Sequence, residues 1–330
     1  MRNEKKNGKR ALVLGCGGVA GAAWSIATLD ELQRQLRWDA READIFIGTS
    51  AGAVLAALLA AGVSVERMMA SERGDAGDCI WNHDTDTGGA LPPLPGAALT
   101  GAALLARGLR GEVSPLTAIT GLLPRGRADM QPFMNLVDSV VPAGEWAPHP
   151  ATWIMAVDAQ SGARVPLGRA DAPQLPLNRA VCASYAVPGW CPPVTHGGHT
   201  YLDGGIASPV SADMLLGQGV HEAIVLAPMA STYPDAPRSP LARIERAARR
   251  YMTAIVDREV AQLERAGIRV VRLEPGAEDL GAIGFNMMDP ARRLRVFETA
   301  QRTAPAAVRS ALHAASAYAT TDAGVPLAVH

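Results

Sequence analysis

The sequence predicts an α/β fold, a mostly parallel central sheet with helices on both faces. Two short apolar runs, 11–15 and 44–47, each close on a glycine turn and lead into a helix-like stretch. Further β-like runs alternate with helical ones towards the C-terminus. No linker, repeat or low-complexity tract divides the 330 residues into independent units. The expected organisation is a disordered basic terminus over 1–9 and one domain over 10–330.

The run 11–15 passes into Cys16-Gly17-Gly18-Val19-Ala20-Gly21, then into an amphipathic helix over 22–36 with Trp24, Ile26, Leu29, Leu32 and Leu36 apolar. A glycine-rich turn between strand and helix exposes several N–H groups that can cradle an anion. A dinucleotide loop is weakened because the next strand ends in Gly-Thr-Ser, with no acidic residue to grip a ribose. A P-loop is excluded, since no Gly-Lys-Ser/Thr follows. An oxyanion hole built on the Gly17 and Gly18 amides remains, beside the plain reading of a tight turn.

The second strand, 44–47, enters Gly48-Thr49-Ser50-Ala51-Gly52, and an Ala- and Leu-rich helix continues to Gly62. A Gly-x-Ser-x-Gly at a strand-to-helix junction reads as a nucleophile elbow, with Gly48 and Gly52 relieving the crowding around Ser50. The competing reading makes Ser50 an ordinary N-cap. Neighbouring parallel strands would bring the glycine loop beside Ser50.

A helix is expected over 65–73. Residues 74–128 are rich in Gly, Pro, Ala and Leu and read as a variable cap or connector, with short helices near 99–107 and after Ser114-Pro115. As a cap this segment would place Arg107 and Arg110 near an anionic head group. Runs 152–157 and 163–167 form a hairpin-like pair, and 174–184 a helix. In Thr200-Tyr201-Leu202-Asp203-Gly204-Gly205, Asp203 is either a turn residue or a general base. A helix near 210–216, a strand 222–226, a long helix 240–266, a strand 269–273 and a helix from Asp289-Pro290 complete the chain, 240–330 being largely helical.

A net charge of −1 gives no reason to expect nucleic acid. Cys16, Cys79, Cys182 and Cys191 are scattered without a Cys-x-x-Cys, so neither a zinc site nor a disulfide framework is expected. No cofactor or metal is indicated. Apolar runs are too short for a signal core or a membrane span, and the cytoplasm is the default. The seven histidines present no compelling base; His196 and His199 sit in Thr-His-Gly-Gly-His-Thr, which reads as a loop.

Taken in order, Cys16-Gly17-Gly18-Val19-Ala20-Gly21, Gly48-Thr49-Ser50-Ala51-Gly52 and Asp203-Gly204-Gly205 resemble the patatin-like phospholipases, as do the stretch approaching Asp203 and the hairpin after 152. The resemblance covers roughly 10–229 and implies a single three-layer patatin-like domain. It also implies a Ser50–Asp203 dyad without histidine, an oxyanion loop of Cys16, Gly17 and Gly18, and Gly48, Gly52, Gly204 and Gly205 as motif glycines. The implied substrate is a lipid or other acyl ester, met with peripheral membrane contact and without metal or cofactor. Two positions depart from the family pattern: Cys16 stands where glycine is usual and Ala20 where Arg or Lys is usual. An esterase for small soluble esters and a non-catalytic patatin-like module are the alternatives.

Overall fold

Strand β1 (Lys9–Leu14) turns Leu12 and Leu14 to one face of the sheet and Ala11 and Val13 to the other, all fully buried. A strand apolar on both faces belongs at the centre of a covered sheet. The structure, a computed structural model, describes residues 8–75, 81, 89–149, 151–233 and 239–321. The expectation of disorder at the N-terminus falls mainly on residues 1–7, outside these, while Lys9 already belongs to β1.

Around β1 stand β2 (Ile45–Thr49), β3 (Thr152–Asp158), β4 (Arg164–Leu167), β5 (Val194–His196), β6 (His199–Asp203), β7 (Val220–Leu226) and β8 (Arg269–Leu273). The sheet runs β5-β6-β3-β2-β1-β7-β8, with β4 also paired to β3. From β3 to β8 all neighbours are parallel, whereas β4, β5 and β6 are antiparallel additions at one end.

On one face Leu12, Leu14 and Phe46 meet α1 (Gly18–Leu36), α2 (Ala51–Ala60), α3 (Val65–Arg73), and, later in the chain, α7 (Leu177–Ser184) and α10 (Arg293–Thr321). On the other, Ala11, Val13, Ile45 and Ile47 meet α8 (Pro240–Arg265) and the 3-10 turn Ala212–Leu215. The result is the three-layer α/β arrangement expected, more thickly covered on the first face.

Several elements differ from expectation for local reasons. α1 starts at Gly18 rather than 22, because Gly21 N–H already donates to Gly17 O (2.8 Å) and helical bonding begins inside the glycine turn. α7 starts at Leu177 because the extended Pro176 sets its first turn. The helix expected near 210–216 is only a 3-10 turn, entered through left-handed Ser211 (φ 54°). Thr-His-Gly-Gly-His-Thr is the β5–β6 hairpin, since Gly197 and Gly198 both take the positive φ of a two-residue turn. Asp289-Pro290 opens a 3-10 turn that leads into α10, and α6 (Gln131–Asp138) and α9 (Ala277–Ile283) were not anticipated.

In the 74–128 stretch, α4 (Ala102–Leu109) and α5 (Pro115–Thr120) seat Leu104 against Val157, Ala159, Leu202 and Ile206 at the antiparallel end. Arg107 and Arg110 both pair with Glu112 in an exposed ion-pair cluster.

Candidate active site

Ser50 lies between the last residue of β2 and the first of α2, with φ 56° and ψ −120°. A non-glycine residue holds such angles only where its surroundings force it to. The forcing contacts are visible: a Cβ on Gly52 would lie 2.0 Å from Leu14 O, and one on Gly48 2.6 Å from Ala53 Cα. Their absence lets α2 drop onto the ends of β1 and β2. The Ser50 hydroxyl makes no cap to α2, which removes the N-cap reading.

Sheet register brings Asp203 to this serine. Thr49 stands opposite Met155 of β3, and Ala156, the next residue, stands opposite Asp203 of β6. Ser50 N–H donates to Ser184 Oγ (2.8 Å), whose hydroxyl donates to Met155 O (2.6 Å). Gly204 crosses the same carbonyl so closely that a Cβ would sit 2.5 Å from it. Met155 O thus ties the elbow to the aspartate turn, and Ser184 is a member of the site that the sequence did not reveal.

Ser50 and Asp203 are each 4% exposed. Burial pushes the Asp203 carboxyl up to about 7, against the pull of the Ser50 hydroxyl facing it and of the Gly205 N–H, which donates to Oδ1 at 2.7 Å. His199 bonds instead to Asp158 (3.0 Å) and His149 to Ala43 O (2.8 Å); neither partners Ser50.

The glycine loop lies across from this pair. The Cys16 amide donates to Pro209 O (2.9 Å), so Cys16 is corrected from oxyanion donor to anchor of the loop. Its thiol packs against Gly205, and burial first, then the Asp203 charge, push its pKa far up, which makes it inert. Cys182 and Cys191 are also buried, each pushed up to about 12, and Cys79 lies outside the described residues. The Gly17 and Gly18 amides have no acceptor among the described residues.

Two segments clamp that loop. Met287 O accepts Ala20 N–H (3.0 Å), and Pro228 packs on Gly17 and Gly21. Behind both lies Arg249 of α8, 1% exposed, donating to Pro228 O (2.6 Å) and Glu245 (2.8 Å) and touching Met287 Sδ (3.9 Å). A buried cation therefore backs the loop from another helix, where the loop itself carries Ala20. Its signal in the sequence was an arginine on the inward stripe Glu245, Arg249, Thr253, Val256 and Val260.

From Gly18 and Ala51 an apolar groove opens, with roughly 880 Å³ of empty space, its solvent-open mouth included. Val19, Ala22, Val54, Leu58 and Tyr185 are among its walls. A nucleophile, a buried carboxylate, free amides and an apolar trough are the parts needed for acyl transfer from an apolar ester.

A family model for patatin-like phospholipases matches residues 12–216, which contain all three motifs. No curated protein matches the chain. Among solved structures, VipD from Legionella pneumophila is similar with a TM-score of 0.42 and 13% identity, over 92% of this chain and 67% of that one. The chain belongs to the patatin-like phospholipases, a family of lipid acyl hydrolases.

Proposed function

We propose that this protein hydrolyses acyl esters of lipids, with Ser50 as nucleophile and Asp203 as general base. The observation that carries the reading is an uncapped elbow serine facing a buried carboxylate at the head of an apolar groove. Asp203 takes the Ser50 proton as Oγ attacks the ester carbonyl, and the Gly17 and Gly18 amides hold the oxyanion. Collapse expels the alcohol, which receives the proton from Asp203. Asp203 then deprotonates a water that attacks the acyl-enzyme; a second collapse releases the carboxylic acid and returns the proton to Ser50. A carboxyl near pH 7 can serve in both directions.

The test is covalent labelling by an alkyl fluorophosphonate, read by mass on the peptide containing Ser50. Label on Ser50 alone is expected; label on a different serine would overturn the assignment. The raised Asp203 pKa adds a pH signature. Because the base must be ionised, kcat/KM should climb from pH 5 to pH 8 and be half-maximal near 7. A flat profile over that range would remove Asp203 from the role.

An apolar groove favours lipid over small soluble esters. Contact with a lipid surface would be peripheral: among the described residues no helix is long and apolar enough to cross a membrane. Leu91 and Phe285 stand exposed, each next in sequence to a residue of the hydrogen bond that Asn286 donates to Ala90 O (2.7 Å). They flank the Met287–Met288 segment at the groove and suit shallow insertion.

A further inference from the structure

The groove has a measurable depth. Both α1 and α2 leave the sheet beside the candidate catalytic residues, at Gly18 and Ala51, and run away from them. Along α1 the groove is lined by Gly18, Val19, Ala22 and Ile26, and along α2 by Ala51, Val54, Leu55 and Leu58. These are single faces of two helices at helical spacing. At about 1.5 Å per residue, Gly18 to Ile26 spans about 12 Å and Ala51 to Leu58 about 10.5 Å. Val19, Ala22 and Val54 along it are half-buried and Ala51 at its head is buried, while Ile26, Leu58 (3%) and Met68 (1%) at the far end belong to the main core. Among the described residues, Leu58 and Met68 of α3 therefore wall the far end of the trough.

Carbon–carbon bonds of about 1.5 Å meeting at about 111° advance an extended acyl chain by about 1.25 Å per carbon. A trough of about 10.5–12 Å thus takes about eight to ten carbons. We infer that the groove is a ruler for medium-chain acyl groups, about C8–C10, with Leu58 and Met68 as its stop. The inference rests on the acyl-hydrolase reading above. A longer chain would have to leave its tail in solvent or displace packed core, so each carbon beyond the stop gains nothing. Up to the stop, each buried methylene should strengthen binding roughly fourfold.

Two arms test this. Initial rates on monomeric p-nitrophenyl esters from C2 to C16 should give a kcat/KM that rises to C8–C10 and is at least tenfold lower at C16. Val54→Phe, a bulky side chain at a half-buried position midway down, should lower the C8:C2 ratio of kcat/KM at least tenfold. Leu58→Ala should move the optimum two or more carbons longer; if it does not fold, Val54→Phe still decides. Calorimetric titration of the Ser50→Ala protein with saturated carboxylates of C6 to C14 reads the groove without turnover. Affinity should climb to about C10 and then level. A rate and an affinity that both keep rising through the longest chains, or a C8:C2 ratio within twofold of wild type in Val54→Phe, would overturn the ruler. An absence of turnover and of Ser50 labelling, with the affinity plateau intact, would overturn the hydrolase reading and leave the ruler standing.

Discussion

Asp203→Asn is expected to lower kcat/KM by about 10²–10⁴ and at the same time to raise the melting temperature at pH 8. The loss follows from the geometry: the carboxylate faces the Ser50 hydroxyl, and among the described residues no histidine is placed to replace it. The gain follows from burial. Asp203 is 4% exposed and its carboxyl is raised from 3.8 to about 7. A group whose folded pKa lies above its unfolded value favours folding fully below the unfolded pKa, and that contribution is lost as pH rises through the folded pKa. Holding the ionised form at pH 8 therefore costs the fold on the order of 4 kcal/mol. Asparagine removes the charge yet can still accept the Gly205 N–H. Melting curves of the two proteins should nearly coincide at pH 4 and separate progressively up to pH 8. An active Asp203→Asn protein would sink the base assignment. An inactive one with no pH-dependent gain would sink the claim that burial is what raises the carboxyl.

Ser50 and Asp203 were legible because each stands in a short motif whose glycines are required by close backbone approach, a constraint that leaves its mark locally. The central strands were legible because Leu12, Val13, Phe46 and Ile47 are apolar on both faces. What stayed hidden depends on partners remote in the chain. Ser184 looks like any helix serine until its hydroxyl is seen between Ser50 N–H and Met155 O. The Cys16 amide could be counted among the oxyanion donors only while Pro209 O was unknown. Arg249 stands on the inward stripe of its helix, but that it closes on Pro228 is visible only in the fold. For Arg107 and Arg110 the partner is local: Glu112, close in sequence, pairs with both. β5, three residues long, and α9, seven, are too short for periodicity to declare them.

Gly18→Ala is expected to lower kcat by about 10²–10³ with KM little changed. The oxyanion exists in the transition state and not in the bound ester, so displacing a donor should lower kcat and kcat/KM together. Two effects would displace it. Gly18 has φ 58°, where a side chain costs about 1–2 kcal/mol. Its Cβ would also lie 2.8 Å from both Met287 O and Met288 Sδ. The sulfur can swing aside, but Met287 O is the acceptor for Ala20 N–H, and Arg249 stands behind that segment. The loop must therefore move instead of the clamp. Gly17 is different: its φ of 177° is open to any residue, and an added Cβ meets Gly21 Cα and Pro228 Cγ, each at 2.8 Å. Gly17→Ala should thus act through crowding alone. Gly62→Ala supplies the control, because Gly62 has φ 89° with nothing within 4 Å of an added Cβ. It should lose a comparable amount of stability from backbone strain while retaining wild-type kcat. If Gly18→Ala folds and keeps its kcat, or if KM rises in place of a fall in kcat, the Gly18 amide does not serve the oxyanion.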